Sequence, residues 1–310
     1  MKKIFIDGSA GTTGLRIYDR LNDRKDIEII TLSEEKRKDS AARKEALNKA
    51  DIAFLCLPDD AAIEAVSMID NPNMVVIDTS TAHRTNPLWA YGFPELNKDF
   101  EKKIINSKRI AVPGCHASGF IALVFPLVEK GIISKDTFLT CFSLTGYSGG
   151  GKKMIGEYND TERDFFLDAP RQYGITQNHK HLPEMTAITG INNKPAFCPI
   201  VADFYSGMEV TVPIFSYMLE DNATIETIKN TYKEKYTGPI VSYVDSADEN
   251  GFLSAAKLSG KDSMQISVSG NDERILLIAR YDNLGKGASG AAIECLNIVL
   301  NADKTEGLII

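Results

Sequence analysis

Ile4-Phe5-Ile6-Asp7-Gly8-Ser9-Ala10-Gly11-Thr12-Thr13-Gly14-Leu15 is the stretch whose reading decides the fold. A short apolar run ends in three glycines spaced G-x-x-G-x-x-G. Leu15, Ile17, Tyr18 and Leu21 then recur at helical spacing. This predicts a strand, a tight turn and a helix, the opening of a dinucleotide-binding βαβ unit. Gly8 suits the turn, Gly11 the close approach of a pyrophosphate, and Gly14 close helix–strand packing. Ser9, Thr12 and Thr13 stand where the phosphates meet the helix N-terminus. The competing reading is a glycine-rich turn that binds nothing.

Working outward, apolar runs at 27–32, 52–57 and 74–77 alternate with helical patterns, as buried parallel strands do in a doubly wound sheet. At the end of the second run an NAD-specific site usually places Asp or Glu against the ribose 2′-OH. Here Ser33 stands there, followed by Arg37 and Lys38. A hydroxyl and two cations suit a 2′-phosphate, so NADP(H) is preferred over NAD. With Glu34 and Glu35 in the same stretch, a solvated charged loop is the alternative. After the fourth run, Asp78-Thr79-Ser80-Thr81-Ala82-His83-Arg84 occupies a strand carboxyl end, where such sheets bind ligands. Arg84 there suits a phosphate or carboxylate, or is an ordinary surface arginine. The segment from Trp89 to Leu96 reads as an ordered loop with packing aromatics.

In Arg109-Ile110-Ala111-Val112-Pro113-Gly114-Cys115-His116-Ala117-Ser118-Gly119, an apolar strand is broken by Pro-Gly and followed by a helical pattern through Phe120, Ile121, Leu123, Val124, Leu127 and Val128. Cys115 thus sits at a helix N-terminus, where the helix dipole favours the thiolate. A small buried cysteine at a tight turn is the bland reading. Beyond it the pattern becomes strand-rich, with runs at 137–144, 196–204, 209–217, 265–268 and 274–281 and one clear helix at 224–236. Thr145-Gly146-Tyr147-Ser148-Gly149-Gly150-Gly151-Lys152-Lys153 reads as an anion nest or a flexible loop. His179-Lys180-His181 gathers two of the four histidines close to Glu184. This suits a general acid/base better than a metal, for no thiol or carboxylate partners stand at metal-ligand spacing. Glu184 is placed to hold one ring in its tautomer. Asp282 to Gly290 opens a last, apolar helix.

Length and charge bound the rest. With 310 residues two domains are expected. A net charge of −7 argues against a general nucleic-acid or membrane binder, though not against a small phosphorylated ligand. The five scattered cysteines fit reduced thiols in the cytoplasm. Met1-Lys2-Lys3 leads straight into the first strand, too short for a signal peptide, and no apolar stretch is long enough to span a membrane.

Taken together, the segments Gly8 to Leu15, Phe54 to Asp60, Ser80 to Thr85, Tyr91 to Leu96, Pro113 to Cys115, Gly146 to Lys152, His179 to Glu184 and Asp282 to Gly290 resemble N-acetyl-γ-glutamyl-phosphate reductases of the shorter, type 2 form. The resemblance covers essentially the whole chain. It implies an α/β fold like that of aspartate-semialdehyde dehydrogenase. One part is a Rossmann-type doubly wound dinucleotide-binding domain of residues 1–115 and 285–310. The other is an α+β catalytic and dimerisation domain, residues 116–284, with a largely antiparallel or mixed sheet.

The resemblance further implies NADPH-dependent reduction of N-acetyl-γ-glutamyl phosphate to N-acetylglutamate 5-semialdehyde in arginine biosynthesis, by a homodimer or homotetramer. Carried over, Cys115 is the nucleophile and His179 or His181 the acid/base, with His179 preferred. Pro58, Asn283, Gly285, Lys286 and Gly287 go to the cofactor. Ser80, Arg84, Ser148, Gly149 and Gly150 go to the substrate and its phosphate. Two departures stand beside the site: His116 replaces the aromatic usual after the cysteine, and Thr145 a usual serine. The rivals are a related acyl-phosphate reductase, acting on aspartyl phosphate or a carrier-bound glutamyl phosphate, and a non-catalytic NADP(H)-binding sensor.

Overall fold

The computed structural model describes residues 1–310, which form two compact units, residues 1–114 with 288–308 and residues 115–287 with 309–310. The first unit runs β1 (Lys2–Asp7), α1 (Thr12–Leu21), β2 (Ile27–Ile30), α2 (Ser40–Lys49), β3 (Ile52–Leu55), α3 (Asp59–Ser67), β4 (Val75–Asp78), β5 (Ala90–Tyr91), α4 (Lys98–Asn106) and β6 (Arg109–Ala111). Its six strands are all parallel, in the order β2-β1-β3-β4-β6-β5. Every residue of β3 and β4 is buried, which is why these strands read as continuous apolar runs rather than alternating ones. The chain leaves β1 toward β2 on one side and returns to β3 on the other. This is the switch point at which doubly wound sheets open a ligand crevice. Within the segment expected as a plain loop, Ala90 and Tyr91 add a short sheet edge by pairing with Ile110 and Ala111.

The second unit contains α5 (Cys115–Glu129), β7 (Thr140–Gly146), α6 (Gly151–Asn159), β8 (Arg171–Gln172), α7 (Leu182–Thr189), β9 (Ala196–Ala202), β10 (Met208–Phe215), α8 (Ile225–Lys235), β11 (Val241–Tyr243), β12 (Met264–Gly270) and β13 (Arg274–Tyr281). Its seven strands form a mixed sheet, β11-β12-β13-β10-β7-β9-β8, in which β7 with β9 and β11 with β12 are parallel and the other pairs antiparallel. Two helices here were not expected. Glycines hide the start of α6 from the periodic pattern, whereas Pro183 in the first turn of α7 and left-handed Gly190 at its end delimit that helix cleanly. A π-helical turn, Gly285–Ser289, leads into α9 (Gly290–Leu300), whose Ala291, Ile293 and Leu296 join the core of the first unit. Residues 309–310, expected with the first unit, pack with the second: Ile309 N–H donates to Asp262 and Lys261 to the Ile310 carbonyl.

The helix α5 is buried continuously from His116 to Val124, so its backbone groups must find partners inside the protein. Pro126 carries no N–H and therefore leaves the Ala122 carbonyl without its helical donor. The Tyr236 hydroxyl donates to that carbonyl at 2.6 Å, and Tyr232 donates to the Leu123 carbonyl at 2.5 Å. At the first turn the Tyr281 hydroxyl donates to the Cys115 carbonyl at 2.5 Å and accepts the Gly119 N–H at 3.0 Å. Only glycine permits this approach, since a β-carbon on residue 119 would stand 2.7 Å from that hydroxyl and 2.7 Å from Val210. Gly119→Ala should therefore lower stability by about 1–3 kcal/mol, the cost of overpacking, as read from urea unfolding curves. An unchanged midpoint would show that β13 and α5 separate without cost.

Candidate active site

In the first unit the crevice at the switch point is a cavity of about 400 Å³, lined by Asp7 to Gly11, Cys56 to Pro58, Leu32, Arg37, Lys38 and Arg43. Gly8 takes φ +85°, and a β-carbon there would lie 2.2 Å from the Cys56 carbonyl oxygen, so β1 and β3 can close on each other only through glycine. Gly14 is equally confined, with Gly8 O 2.5 Å from where its β-carbon would be. Gly11 is the N-cap of α1, and no side chain caps the amides of that first turn, to which Thr12 and Thr13 belong. These features fit a dinucleotide pyrophosphate: donors, a helix N-terminus and no side chain in the way.

Ser33 begins the turn that carries Arg37 to the cavity, its carbonyl accepting the Lys36 and Arg37 N–H groups. Arg37 pairs with Glu34 at 2.9 Å, an exposed pair of little energetic weight that a phosphate can displace. The buried Arg43, which the sequence reading missed, pairs with Asp7 at 2.9 Å in the cavity wall. Nothing local links two residues 36 positions apart, so only the fold brings this pair to view.

Beyond β4, Asp78 organises its own loop, accepting the Ser80 hydroxyl at 2.7 Å and meeting His83 Nδ1 at 2.7 Å. His83 in turn stacks on Trp89 at 4.0 Å. Arg84 is buried, its Nε donating to the Val112 carbonyl and its Nη2 to the Thr79 carbonyl, both at 2.9 Å. Ser80 and Arg84 thus hold the segment together from within.

The second unit holds Cys115 and three of the four histidines. Cys115 is the first residue of α5. His116 beside it is buried, with Nδ1 2.6 Å from the Ser143 hydroxyl and Nε2 2.6 Å from the Tyr173 hydroxyl. Its ring centroid lies 5.9 Å from that of His179 and 5.5 Å from that of His181, and the latter two are 4.8 Å apart. The His181 N–H donates to His179 Nδ1 at 3.2 Å. His181, the N-cap of α7, and Glu184, in its first turn, are both buried. Gln177 anchors this strap by exchanging two hydrogen bonds with the backbone of Phe197 in β9.

Burial pushes the His116 imidazole down to about 3, with His179 and Lys180 adding to the effect. Burial and then Lys180 lower His179 as well. Burial, and then the neighbouring Cys115 charge, push the Tyr173 phenol up. Burial raises Cys56 to about 12 and Cys141 well above its ordinary value, so neither supplies a thiolate near neutrality.

The remaining expected residues also lie in this second unit. Ser148, Gly149 and Gly150 form a 3-10 turn, and Asn283 donates to the Ser148 hydroxyl at 3.0 Å while accepting the Gly207 N–H at 2.9 Å. Gly285 packs against the Lys261 carbonyl, Lys286 is buried, and a β-carbon on Gly287 would lie 3.1 Å from that of Cys115. His116, Ser143 and Tyr173 were not in the expected site. His116 was legible as a departure beside the cysteine, whereas no local pattern marks Ser143 or Tyr173.

Residues 3–104 match the NAD-binding domain of semialdehyde dehydrogenases and residues 115–283 their dimerisation domain. Among curated relatives, N-acetyl-gamma-glutamyl-phosphate reductase 2 of a Nostoc species is 42% identical over 99% of both chains. The N-acetyl-gamma-glutamyl-phosphate reductase of Sinorhizobium medicae is 44% identical over 97% of this chain and 99% of its own. In fold the chain is similar to aspartate semialdehyde dehydrogenase II of Vibrio cholerae complexed with ASA, with TM-score 0.74, 15% identity and coverage of 97% and 98%. It is also similar to the Candida albicans aspartate semialdehyde dehydrogenase with NADP, with TM-score 0.67, 17% identity and coverage of 97% and 99%.

The buried imidazoles set an acid limit. Between pH 6.5 and about 3 the unfolded chain carries a proton on His116 that the folded chain lacks, so stability falls as pH falls through that window. His179 contributes with the same sign. Each such proton steepens the decline by up to ~1.4 kcal/mol per pH unit. Urea titrations at pH 7, 6, 5 and 4 should show this slope, and His116→Phe should flatten it.

Proposed function

We propose that this chain, which belongs to the N-acetyl-γ-glutamyl-phosphate reductase family, reduces N-acetyl-γ-glutamyl phosphate to N-acetylglutamate 5-semialdehyde and phosphate with NADPH, as a step of arginine biosynthesis. The observation that carries this reading is a cysteine at the N-terminus of a buried helix, followed by His116, whose ring lies 5.9 Å from that of His179, both imidazoles being held toward the neutral form by burial. A neutral imidazole, which we take to be that of His179, accepts the Cys115 proton. The thiolate then attacks the acyl carbon: a C–S bond forms, the C–O bond to phosphate breaks, and phosphate leaves. Backbone N–H groups in the first turn of α5 face the oxyanion. The cofactor, when bound, supplies the hydride that reduces the thioester. The imidazolium returns its proton as the resulting thiohemiacetal collapses, so aldehyde leaves and the thiol is restored. Glu184, in the first turn after His181, orients the imidazole pair.

Ser148, Gly149 and Gly150, at the turn tied by Asn283, are assigned to the departing phosphate. Gly8, Ser9, Gly11 and the first turn of α1 are assigned to the cofactor pyrophosphate, and Arg37 with Lys38 to a 2′-phosphate. We further assign the working form to a cytoplasmic homo-oligomer. Phe142, Phe215 and Leu276 project from one face of the mixed sheet, each more than a third exposed, and register puts them together: Phe142 lies opposite Thr211 and Leu276 opposite Pro213, four and two residues from Phe215. An apolar sheet face of this kind suits a second copy.

Phosphate-dependent NADP reduction tests the substrate: N-acetylglutamate 5-semialdehyde should be turned over and aspartate semialdehyde should not. Cys115→Ser should keep NADPH binding and lose turnover, because a serine hydroxyl is a far weaker nucleophile. Near-normal activity in that variant would exclude the covalent route.

Removing both cations, Arg37→Ala with Lys38→Ala, should raise the KM for NADPH roughly tenfold or more and leave that for NADH little changed. Equal KM values for NADPH before and after would make the two cations a solvated face.

A further inference from the structure

Asn283, which the resemblance gives to the cofactor, is buried just beyond β13 and spends its amide on two other loops at once. Its Oδ1 accepts the Gly207 N–H at 2.9 Å and its Nδ2 donates to the Ser148 hydroxyl at 3.0 Å. A backbone N–H can only donate, so the amide oxygen must face Gly207 and the amide NH2 must face Ser148. Ser148, buried as well, is therefore the acceptor of that bond, and no other group of the protein takes its proton. The neighbouring carboxylate, Asp282, does not compete for it. Asp282 is engaged by the Leu284 N–H at 2.7 Å, the Ser206 hydroxyl at 3.0 Å and the Gly260 N–H.

The backbone around Ser148 is fixed independently. Gly146, Tyr147 and Ser148 donate their N–H groups to the carbonyls of Gly207, Phe204 and Tyr205 at 3.1, 2.9 and 2.9 Å. A β-carbon on Gly146 would stand 2.7 Å from the carbonyl oxygens of Phe204 and Tyr205, so turn and loop close on each other only through glycine. Met208 of β10 pairs with Thr145 on one side and Tyr281 on the other, which brings the end of β7 beside the end of β13. The short segment 281–287 thus meets both Cys115 and the 148–150 turn. Tyr281 binds the Cys115 carbonyl at 2.5 Å, Asn283 binds Ser148, and a β-carbon on Gly287 would stand 3.1 Å from that of Cys115.

We propose that Asn283 is a positioning residue for the leaving phosphate: by donating to Ser148 it turns the hydroxyl proton away from itself and makes Ser148 a hydrogen-bond donor to the phosphate oxygens. This rests on the reading of the 148–150 turn as the phosphate site and adds to it the group that sets the polarity of that turn. Without Asn283 the hydroxyl is free to rotate and must be oriented when the anion arrives; with it, the donor is in place beforehand. The bond gains strength as the C–O bond to phosphate breaks and negative charge gathers on the departing oxygens. Ser148 keeps its proton throughout, so the step needs no base at this end of the site.

The test is the KM for inorganic phosphate in the NADP-dependent oxidation of N-acetylglutamate 5-semialdehyde by the full chain. It is measured across a cycle of Ser148→Ala, Asn283→Ala and the double variant. Ser148→Ala should raise that KM about tenfold, as for a lost hydrogen bond to a charged group, and leave the KM for NADP unchanged. Asn283→Ala should raise it too, and the double variant should be no worse than Ser148→Ala, since Asn283 acts only through the hydroxyl. Asn283→Asp keeps an acceptor for the Gly207 N–H but offers Ser148 an acceptor in place of a donor, and should raise the phosphate KM at least as far as Ser148→Ala does. An unchanged phosphate KM in Ser148→Ala would remove the phosphate site itself and the proposal with it. Additive effects after a clear rise in Ser148→Ala overturn only the role of Asn283, and so does an Asn283→Ala variant whose KM rises for NADP and not for phosphate. Should Asn283→Ala fail to fold, Asn283→Asp takes its place in the cycle, where an effect as large in the Ser148→Ala background as in the parent has the same force. A parent that oxidised aspartate semialdehyde instead would fail the substrate reading alone, since the same cycle run on that aldehyde decides the role of Asn283.

Discussion

The second unit depends on a single constraint, the supply of hydrogen-bond partners to the backbone of a helix with no access to water. A buried carbonyl or N–H left without a partner costs about 1–3 kcal/mol, and α5 presents such groups at its first turn and around Pro126. Three tyrosine hydroxyls meet that need, from Tyr232 in α8, Tyr236 at its end and Tyr281 at the end of β13. Each reaches its target through more than a hundred residues of intervening chain, so the helix is completed only when the sheet and α8 are in place. The position of Cys115 is inherited from that assembly. Its carbonyl is held by Tyr281 and its neighbour His116 by Ser143 and Tyr173.

The two units handle buried polarity in opposite ways. In the first, Arg43 is buried in the cavity wall against two carboxylates, 2.9 Å from Asp7 and 3.2 Å from Glu64. In the second, the polar groups near the thiol are neutral imidazoles and phenols, kept so by burial. A neutral imidazole is able to accept a proton from a thiol, which a protonated one is not.

Much of the first unit was legible in the sequence because its signals are local. Val75, Val76, Ile77 and the run from Ile52 to Leu55 are apolar at every position, as strands covered on both faces must be. Gly8 and Gly14 announce a turn that only glycine can make. The second unit was harder. Five of its seven strands were found, most with ends displaced by a few residues, since an antiparallel or mixed sheet stops where its neighbours stop rather than where apolar residues run out, and the short β8 and β11 were missed. Helices α6 and α7 went unread because glycines or a histidine strap, rather than a periodic apolar face, precede them.

Local pattern by itself determined that Cys115 would stand at a strand–helix junction, that the first glycines would make a tight turn between strand and helix, and that two histidines would travel together. Each of those depends on residues within about a dozen positions of one another, the range over which backbone preference acts. Only the tertiary structure decided that Arg84 would be spent on the carbonyls of Thr79 and Val112, that Asn283 would tie down Ser148, and that Arg43 would face Asp7. It likewise decided that His116 would bridge Ser143 and Tyr173. Those partners are brought together by sheet register and helix packing, and a hydrogen bond's choice of partner is settled by which groups are left dry and within about 3 Å when the core has closed.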